Sequence, residues 1–196
     1  MNHTTKLSIA QDYNNLGLKL FPVHTIESDG RCTCFNPNCN NTAKHPVTTN
    51  GLHAATDNND KLKEYFTGDY DQANIGIATG ESSNVFVLDV DDIGSLKQLE
   101  SEHEPLPRTW TVETPRGGRH LYFRFDVRLK DVKNTVKFFG SIDIRSTGGY
   151  VIAPPSLGSN GKQYRWLISP AENEIAPVPD WLVKMLPKRD RSPAPL

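Results

Sequence analysis

The chain lacks an excess of charge of either sign. In its 196 residues, 22 Lys and Arg stand against 23 Asp and Glu, a formal net charge of -1. A polyanion-binding surface spread over the whole molecule is thereby excluded, and any contact with nucleic acid must be local or shared with a partner. Long apolar runs are missing too: none approaches the ~20 residues that cross a bilayer, so no membrane association is expected. The start, MNHTTKLSIAQDYNN, has neither the basic opening nor the apolar stretch of a secretory signal, and a cytoplasmic location is the expectation. Cysteine is scarce and odd in number, three in all, which argues against a disulfide framework. No internal repeat is visible, and the length suffices to bury the core of one domain.

What is present is a mixture of two periodicities. Helical spacing predicts helices over 7–16, 62–66 and 93–103, with a short closing helix in PVPDWLVKML. Alternation predicts strands in GLKLFPV, NIGIATG and VFVLDV, and a hairpin in RTWTVETPRGGRHLYFRF. Further strands are expected over 138–144, 149–153 and 163–166. Residues 28–50 have no periodicity and read as an irregular loop. The Pro-rich, charged end, 187–196, reads as a linker or tail. Strands mixed with helices and containing hairpins indicate an α+β or mixed α/β fold. Trp110, Trp166 and Trp181 are expected in the core, and His24, His53 and His103 in packing or surface roles.

Within VFVLDVDD, four apolar residues run into Asp89, Asp91 and Asp92. Alternate strand residues share a face, so Asp89 and Asp91 point the same way, about 7 Å apart at the backbone. Their side chains can converge on one divalent ion or on a pair of ions about 3.5–4 Å apart. Asp92 instead fits a helix N-cap. A rival reading takes DVDDIGSLKQLE as a calcium loop, with Asp89, Asp91, Gly94 and Glu100 at the expected spacings. Ile93 at the fifth position and the β-rich flank count against it.

In GSIDIRSTGGYV a second carboxylate interrupts an apolar strand. Asp143 and Arg145 share its polar face, either as a surface ion pair or, through Arg145, as a bidentate phosphate ligand. In TPRGGRHLYFRF, Leu121, Phe123 and Phe125 form the core face and His120, Tyr122 and Arg124 the other. Gly117 and Gly118 allow backbone amides to approach a ligand beside Arg116, Arg119 and His120, although the same residues also describe a plain hairpin turn.

The three cysteines fall in RCTCFNPNCNNTAKHP. Cys32, Cys34, Cys39 and His45 form C-x-C-x4-C-x5-H, a soft ligand set suited to tetrahedral zinc in a closed, structural site. The alternative is three reduced thiols in an Asn-rich loop. Lys44, beside His45, has two readings, a residue that faces a phosphate or a solvated loop lysine, and the second is the expectation.

The order of LDVDD, TPRGGRHLYFR and DIRSTGGYVIAPPS resembles the archaeo-eukaryotic primase superfamily, most closely its bifunctional primase–polymerase branch. Flanking segments KHPVTTNGLHAAT, NIGIATG and PDWL agree, and the resemblance runs to about residue 186. It implies a two-lobed catalytic domain over 1–186: an N-terminal lobe, 1–80, with the zinc loop 32–45, and an RRM-like catalytic lobe, 81–186. It also implies that Asp89, Asp91 and Asp143 hold two Mg²⁺ or Mn²⁺ ions, and that His120 contacts the incoming nucleotide. Many superfamily members have Ser where this chain has Gly118, whose backbone amide is expected to replace the hydroxyl. The implied activity is template-directed nucleotidyl transfer, as DNA primase or polymerase, in plasmid, phage or mobile-element replication. The triphosphate would be oriented by Arg116, Gly117, Gly118, His120 and Arg145, with Arg119 and Arg124 also expected near the site. Partners would be single-stranded or primed DNA, nucleoside triphosphates and a helicase or replication protein. Two other readings use the same residues: a metal-dependent phosphotransfer enzyme such as a nuclease, or a non-catalytic zinc-bearing DNA-binding module.

Overall fold

The computed structural model describes residues 5–189. Its organising unit is the apolar strand that ends in acid. In β3 (Val85–Val90) Phe86, Leu88 and Val90 turn to one side and Val85 and Val87 to the other, and all five are buried. A strand with apolar residues on both faces must be covered on both, and the rest of the chain does this.

β3 is central in a large sheet whose path runs β6 (Thr135–Phe139), β7 (Ile142–Arg145), β3, β5 (Arg119–Arg124), β4 (Thr111–Glu113) and β9 (Arg165–Ile168). Neighbours along this path are antiparallel. β10 (Ala176–Pro177) adds a short parallel pairing to β5. On one face lie α3 (Ile93–Glu102) and α4 (Asp180–Met185), whose Leu99, Leu182 and Val183 pack with Phe86, Leu88, Leu121, Phe123 and Ile144. Against the other face packs a three-stranded sheet, β1 (Leu20–Val23), β2 (Asn74–Ala78) and β8 (Tyr150–Ala153). α1 (Lys6–Asn15) and α2 (Asn59–Tyr65) back it through Ala10, Tyr13 and Leu62. The smaller sheet thus joins residues from both sides of Gly80.

This is a mixed α+β architecture, and the helices and strands stand close to where periodicity placed them. Two segments differ. Residues 138–144 are not one strand: Gly140, at φ +54°, turns the chain between β6 and β7, a left-handed backbone that glycine adopts at little cost. Residues 187–189, expected within the linker, are pinned instead. Lys133 N–H donates to Pro187 O (3.0 Å), Arg189 N–H to Asp131 O (2.7 Å), and Lys188 bridges to Val132. The rest of the expected tail, 190–196, lies outside the described residues.

Two buried groups fix the smaller sheet to its loops. Asn74 is fully buried, and its Nδ2 lies within hydrogen-bond distance of the carbonyls of Leu157 (2.7 Å), Ala43 (3.1 Å) and His24 (3.2 Å). Tyr13 donates its hydroxyl to Pro154 O (2.7 Å) and accepts from Trp166 Nε1 (2.9 Å). Trp110 is buried, Trp166 packs against the same cluster, and Trp181 packs on the α4 side, stacked on His103 at 4.9 Å.

Candidate active site and metal loop

The register of three strands builds the acidic row. Asp89 of β3 stands opposite His120 of β5 on one side and opposite Asp143 of β7 on the other. Directly opposed residues share a face, so a carboxylate, a carboxylate and an imidazole lie side by side. His120 Nε2 is 3.3 Å from Asp89 Oδ1. Arg145 Nη2 reaches both acids, at 3.1 Å from Asp89 Oδ2 and 2.8 Å from Asp143 Oδ2. The second oxygen of Asp143 accepts from Lys137 N–H (2.7 Å). Asp91 follows just past the end of β3, its N–H bonded to Ser141 O (2.9 Å).

The row opens into a cavity of about 390 Å³. Asp89, Asp91, His120 and Arg145 line it, with Thr114 and Arg116 from the β4–β5 turn, Gly148 and Gly149 before β8, and Tyr150 of β8 itself. Tyr164 completes the wall, its ring 5.6 Å from that of His120. Arg116 makes no hydrogen bond or ion pair among the described residues.

The electrostatics divide the two lining acids. Burial disfavours the charge on Asp89, but His120 and Arg145 outweigh it and hold the carboxyl well below the usual carboxylate range. Burial and the neighbouring Asp89 push the Asp91 carboxyl up, against opposing pulls from Lys44 and Arg145. The second acid therefore carries negative charge that no fixed partner compensates. An oxygen-ligated divalent cation would supply that compensation, and the donor chemistry of Asp89 and Asp91 fits such an ion. The three acids are not already gathered around one point: Asp143 faces Arg145 and the Lys137 amide, and it is Asp89 and Asp91 that line the cavity.

Several expectations are corrected. The amides of Gly117 and Gly118 already have partners within the protein. They are used inside the turn, donating to Thr114 O (2.9 Å) and Thr114 Oγ1 (3.0 Å), and neither glycine lines the cavity. The absence of a side chain at Gly118 serves packing: a Cβ there would stand 2.2 Å from Val90 O. Arg119 belongs to the opposite face, bonded to Glu113 at 3.1 Å. Arg124 sits at the far end of β5, bonded to Ile175 O at 3.1 Å. The calcium-loop pattern is a strand followed by a helix. Asp92 caps α3 through Ser95 N–H (2.9 Å), and Glu100 accepts from Leu106 N–H (2.9 Å).

The metal loop forms as its spacing suggests. The ligand atoms of Cys32, Cys34, Cys39 and His45 all lie within 4.8 Å of one another. His45 Nε2 is 3.4 Å from Cys32 Sγ and 3.5 Å from Cys39 Sγ. Two ligands on a tetrahedral ion with Zn–S about 2.3 Å and Zn–N about 2.0–2.1 Å stand about 3.5 Å apart, so the set could hold zinc. Among the described residues it is the one group of three or more metal-ligating side chains that converges in this way. His24, expected in a bland role, lies over the ligand His45 with ring centroids 4.4 Å apart.

The cleft also contains residues that the sequence pattern did not place there. Asn41 and Lys44 come from the metal loop, Asn134 from the segment before β6, and Asn160 from the loop before β9. No periodicity predicts that such segments meet; only the folded chain brings them together.

No curated protein matches the chain. The sequence profile of one family does, across residues 10–181. That span holds α1 from Ala10, both sheets, the metal loop, and Asp89, Asp91, His120, Asp143 and Arg145. With an acidic row on antiparallel strands, a facing cleft and a Cys3His loop all inside the match, the chain belongs to the bifunctional DNA primase/polymerase, N-terminal, family.

Proposed function

We propose that this chain catalyses template-directed addition of nucleotides to a 3′ end, as a DNA primase, a DNA polymerase or both. The observation that carries the reading is the cleft itself. Two carboxylates, Asp89 and Asp91, line the same small cavity as His120 and the unpaired guanidinium of Arg116. Acids alone would suit any metal-dependent phosphotransfer enzyme, including a nuclease. A free cation beside them matches a triphosphate, which must be neutralised as well as metal-bound.

Asp89 and Asp91, with Asp143 after a shift of Arg145, are the residues that would hold a pair of Mg²⁺ or Mn²⁺ ions. Such ions activate the attacking 3′-hydroxyl and neutralise the leaving pyrophosphate. Asp89 is kept ionised by His120 and Arg145 and so is ready as a ligand. His120 and Arg116 orient the triphosphate, and Arg145, once released from the acids, adds a bidentate donor to it. The cleft walls hold the reacting groups together, which accounts for much of the rate in reactions with no enzyme nucleophile. Zinc in the Cys3His loop, with all four ligands from protein, has no open position for catalysis and would serve structure.

The order β7-β3-β5-β4 supports an RRM-like reading of the catalytic sheet, since it is that of a split βαβ unit with α3 following the first strand. A near-neutral chain also supports a shared grip on template. We read the protein as working beside a helicase or other DNA-binding replication partner in plasmid, phage or mobile-element replication. Primer extension on a primed template with Mg²⁺ or Mn²⁺ tests the activity: the wild-type chain extends the primer and Asp89→Asn does not. Extension by the folded Asp89→Asn protein would sink the assignment. Template degradation with no incorporation would turn the reading to a nuclease.

A further inference from the structure

The loop that carries the Cys3His set also forms part of the cleft. Asn41 and Lys44 line it together with Asp91 and Arg116, and Lys44 immediately precedes the ligand His45. This stretch of backbone is held from several directions. Lys44 N–H donates to Asn41 O (3.0 Å), and Lys44 O accepts from the Tyr150 hydroxyl (2.9 Å). The carbonyl before it, on Ala43, accepts from the fully buried Asn74 (3.1 Å), and the carbonyl after it, on His45, accepts from His24 N–H (2.9 Å). Ala43 itself is held at φ +62°. A left-handed non-glycine residue persists where its surroundings fix it.

The side chain that this backbone presents is a cation without a partner. Lys44 makes no side-chain hydrogen bond or ion pair among the described residues, and it lines the same cavity as Asp89, Asp91 and Arg116. An ammonium that forms no ion pair, on a fixed backbone at the wall of a cleft, is free to bind an anionic ligand. Lysine serves as a point-charge phosphate ligand. The cleft volume, about 390 Å³, is of the size that takes a small ligand rather than a length of strand.

We propose that Lys44 is a polyphosphate-binding residue of the cleft, delivered into it by the metal loop. The ligand class is a nucleoside triphosphate, and the assignment rests on the reading of the cleft as a nucleotidyl-transfer site. The metal loop then contributes to substrate affinity as well as to the fold. Lys44 and Arg116 would hold the triphosphate from two different loops.

Binding of the non-hydrolysable α,β-methylene forms of ATP and dATP, in Mg²⁺, tests this without turnover. Lys44→Ala should weaken binding of the form that the wild type prefers by about tenfold, the scale of one lost hydrogen bond to a charged group. Lys44→Arg should recover most of it. In primer extension the KM for nucleotide should rise by a similar factor, with a smaller loss in kcat, and the melting temperature should hold. Unchanged triphosphate affinity in Lys44→Ala would overturn the proposal. So would a loss confined to single-stranded DNA affinity, which would make Lys44 a template contact. A wild-type chain that binds neither triphosphate would overturn this proposal and the nucleotidyl-transfer reading together. A wild type that binds and extends while Lys44→Ala matches it would overturn this proposal alone.

Discussion

Asp89 and Asp143 face each other across the β3–β7 register, and the Arg145 guanidinium lies against both, at 3.1 and 2.8 Å. Two carboxylates held on adjacent strands repel, and the Arg145 guanidinium between them offsets that repulsion.

Removing that guanidinium leaves the opposed acids uncompensated. Arg145→Ala should lose about 2–3 kcal/mol of stability, less than the 3–5 kcal/mol of a fully buried pair because the group is partly exposed. Millimolar Mg²⁺ should restore more of the loss in the variant than it adds to the wild type. Thermal melts with and without Mg²⁺ measure both. A variant indifferent to Mg²⁺ would show that the acids do not draw the ion.

Asp91 and Asp89 should give opposite pH signatures. The folded pKa of Asp91 is raised, so its ionisation costs stability as pH climbs above the unfolded value of about 3.9. Without divalent ions, Asp91→Asn should melt above the wild type at pH 7, with the difference closing below about pH 4. The folded pKa of Asp89 is depressed, so its contribution is present above about pH 4 and fades as pH falls through the folded value. Asp89→Asn should therefore melt below the wild type at pH 7. Both variants should lack incorporation. A lower melting temperature for Asp91→Asn at pH 7 would contradict the charge distribution of the cleft.

Metal analysis of purified protein should find about one zinc per chain, and Cys34→Ser should lower it. Because the ligands converge only in the fold, chelation should lower the melting temperature. A metal-free preparation of full stability would show that the thiols and His45 close on no ion.

Gly118→Ser would bring the turn toward the pattern common in the primase superfamily, and it should be harmful here. The added Cβ would meet Val90 O at 2.2 Å, a backbone atom in the central strand. Overpacking of this kind costs roughly 1–3 kcal/mol. Denaturant unfolding of the variant gives the number, and wild-type stability would mean that the turn has room to retreat from β3.

Much of the site was legible because alternation is a strong signal. The period of two in VFVLDV and RHLYFRF put Asp89 and His120 on polar positions of otherwise apolar strands, and β3 and β5 then paired them. The Cys3His loop was legible from ligand chemistry. The face of Arg119 was also available from alternation, since it is one residue from His120. Arg124 has the right parity but the wrong end of the strand, which only register reveals. The break at Gly140 was hidden by apolar residues on both sides of it. For Lys44 the sequence left the phosphate reading second to a solvated lysine: a loop of 28–50 with no period gives no direction to its side chains, and its place depends on contacts with Asn74 and Tyr150 from far along the chain.

The place of β8 has a consequence for how the protein is made. β2 lies between β1 and β8, and all five of its residues are buried. Its second edge is covered only by residues 150–153, some 70 residues after β2 itself. At about 5–20 residues per second, a ribosome leaves that apolar edge open for roughly 4–15 s. The metal ligands emerge well before this interval ends, while Leu157, which shares Asn74 with the metal loop, emerges after it. A nascent chain can therefore gather its cysteines early, but it fixes the loop against the cleft only when the strand beyond the acids has been synthesised.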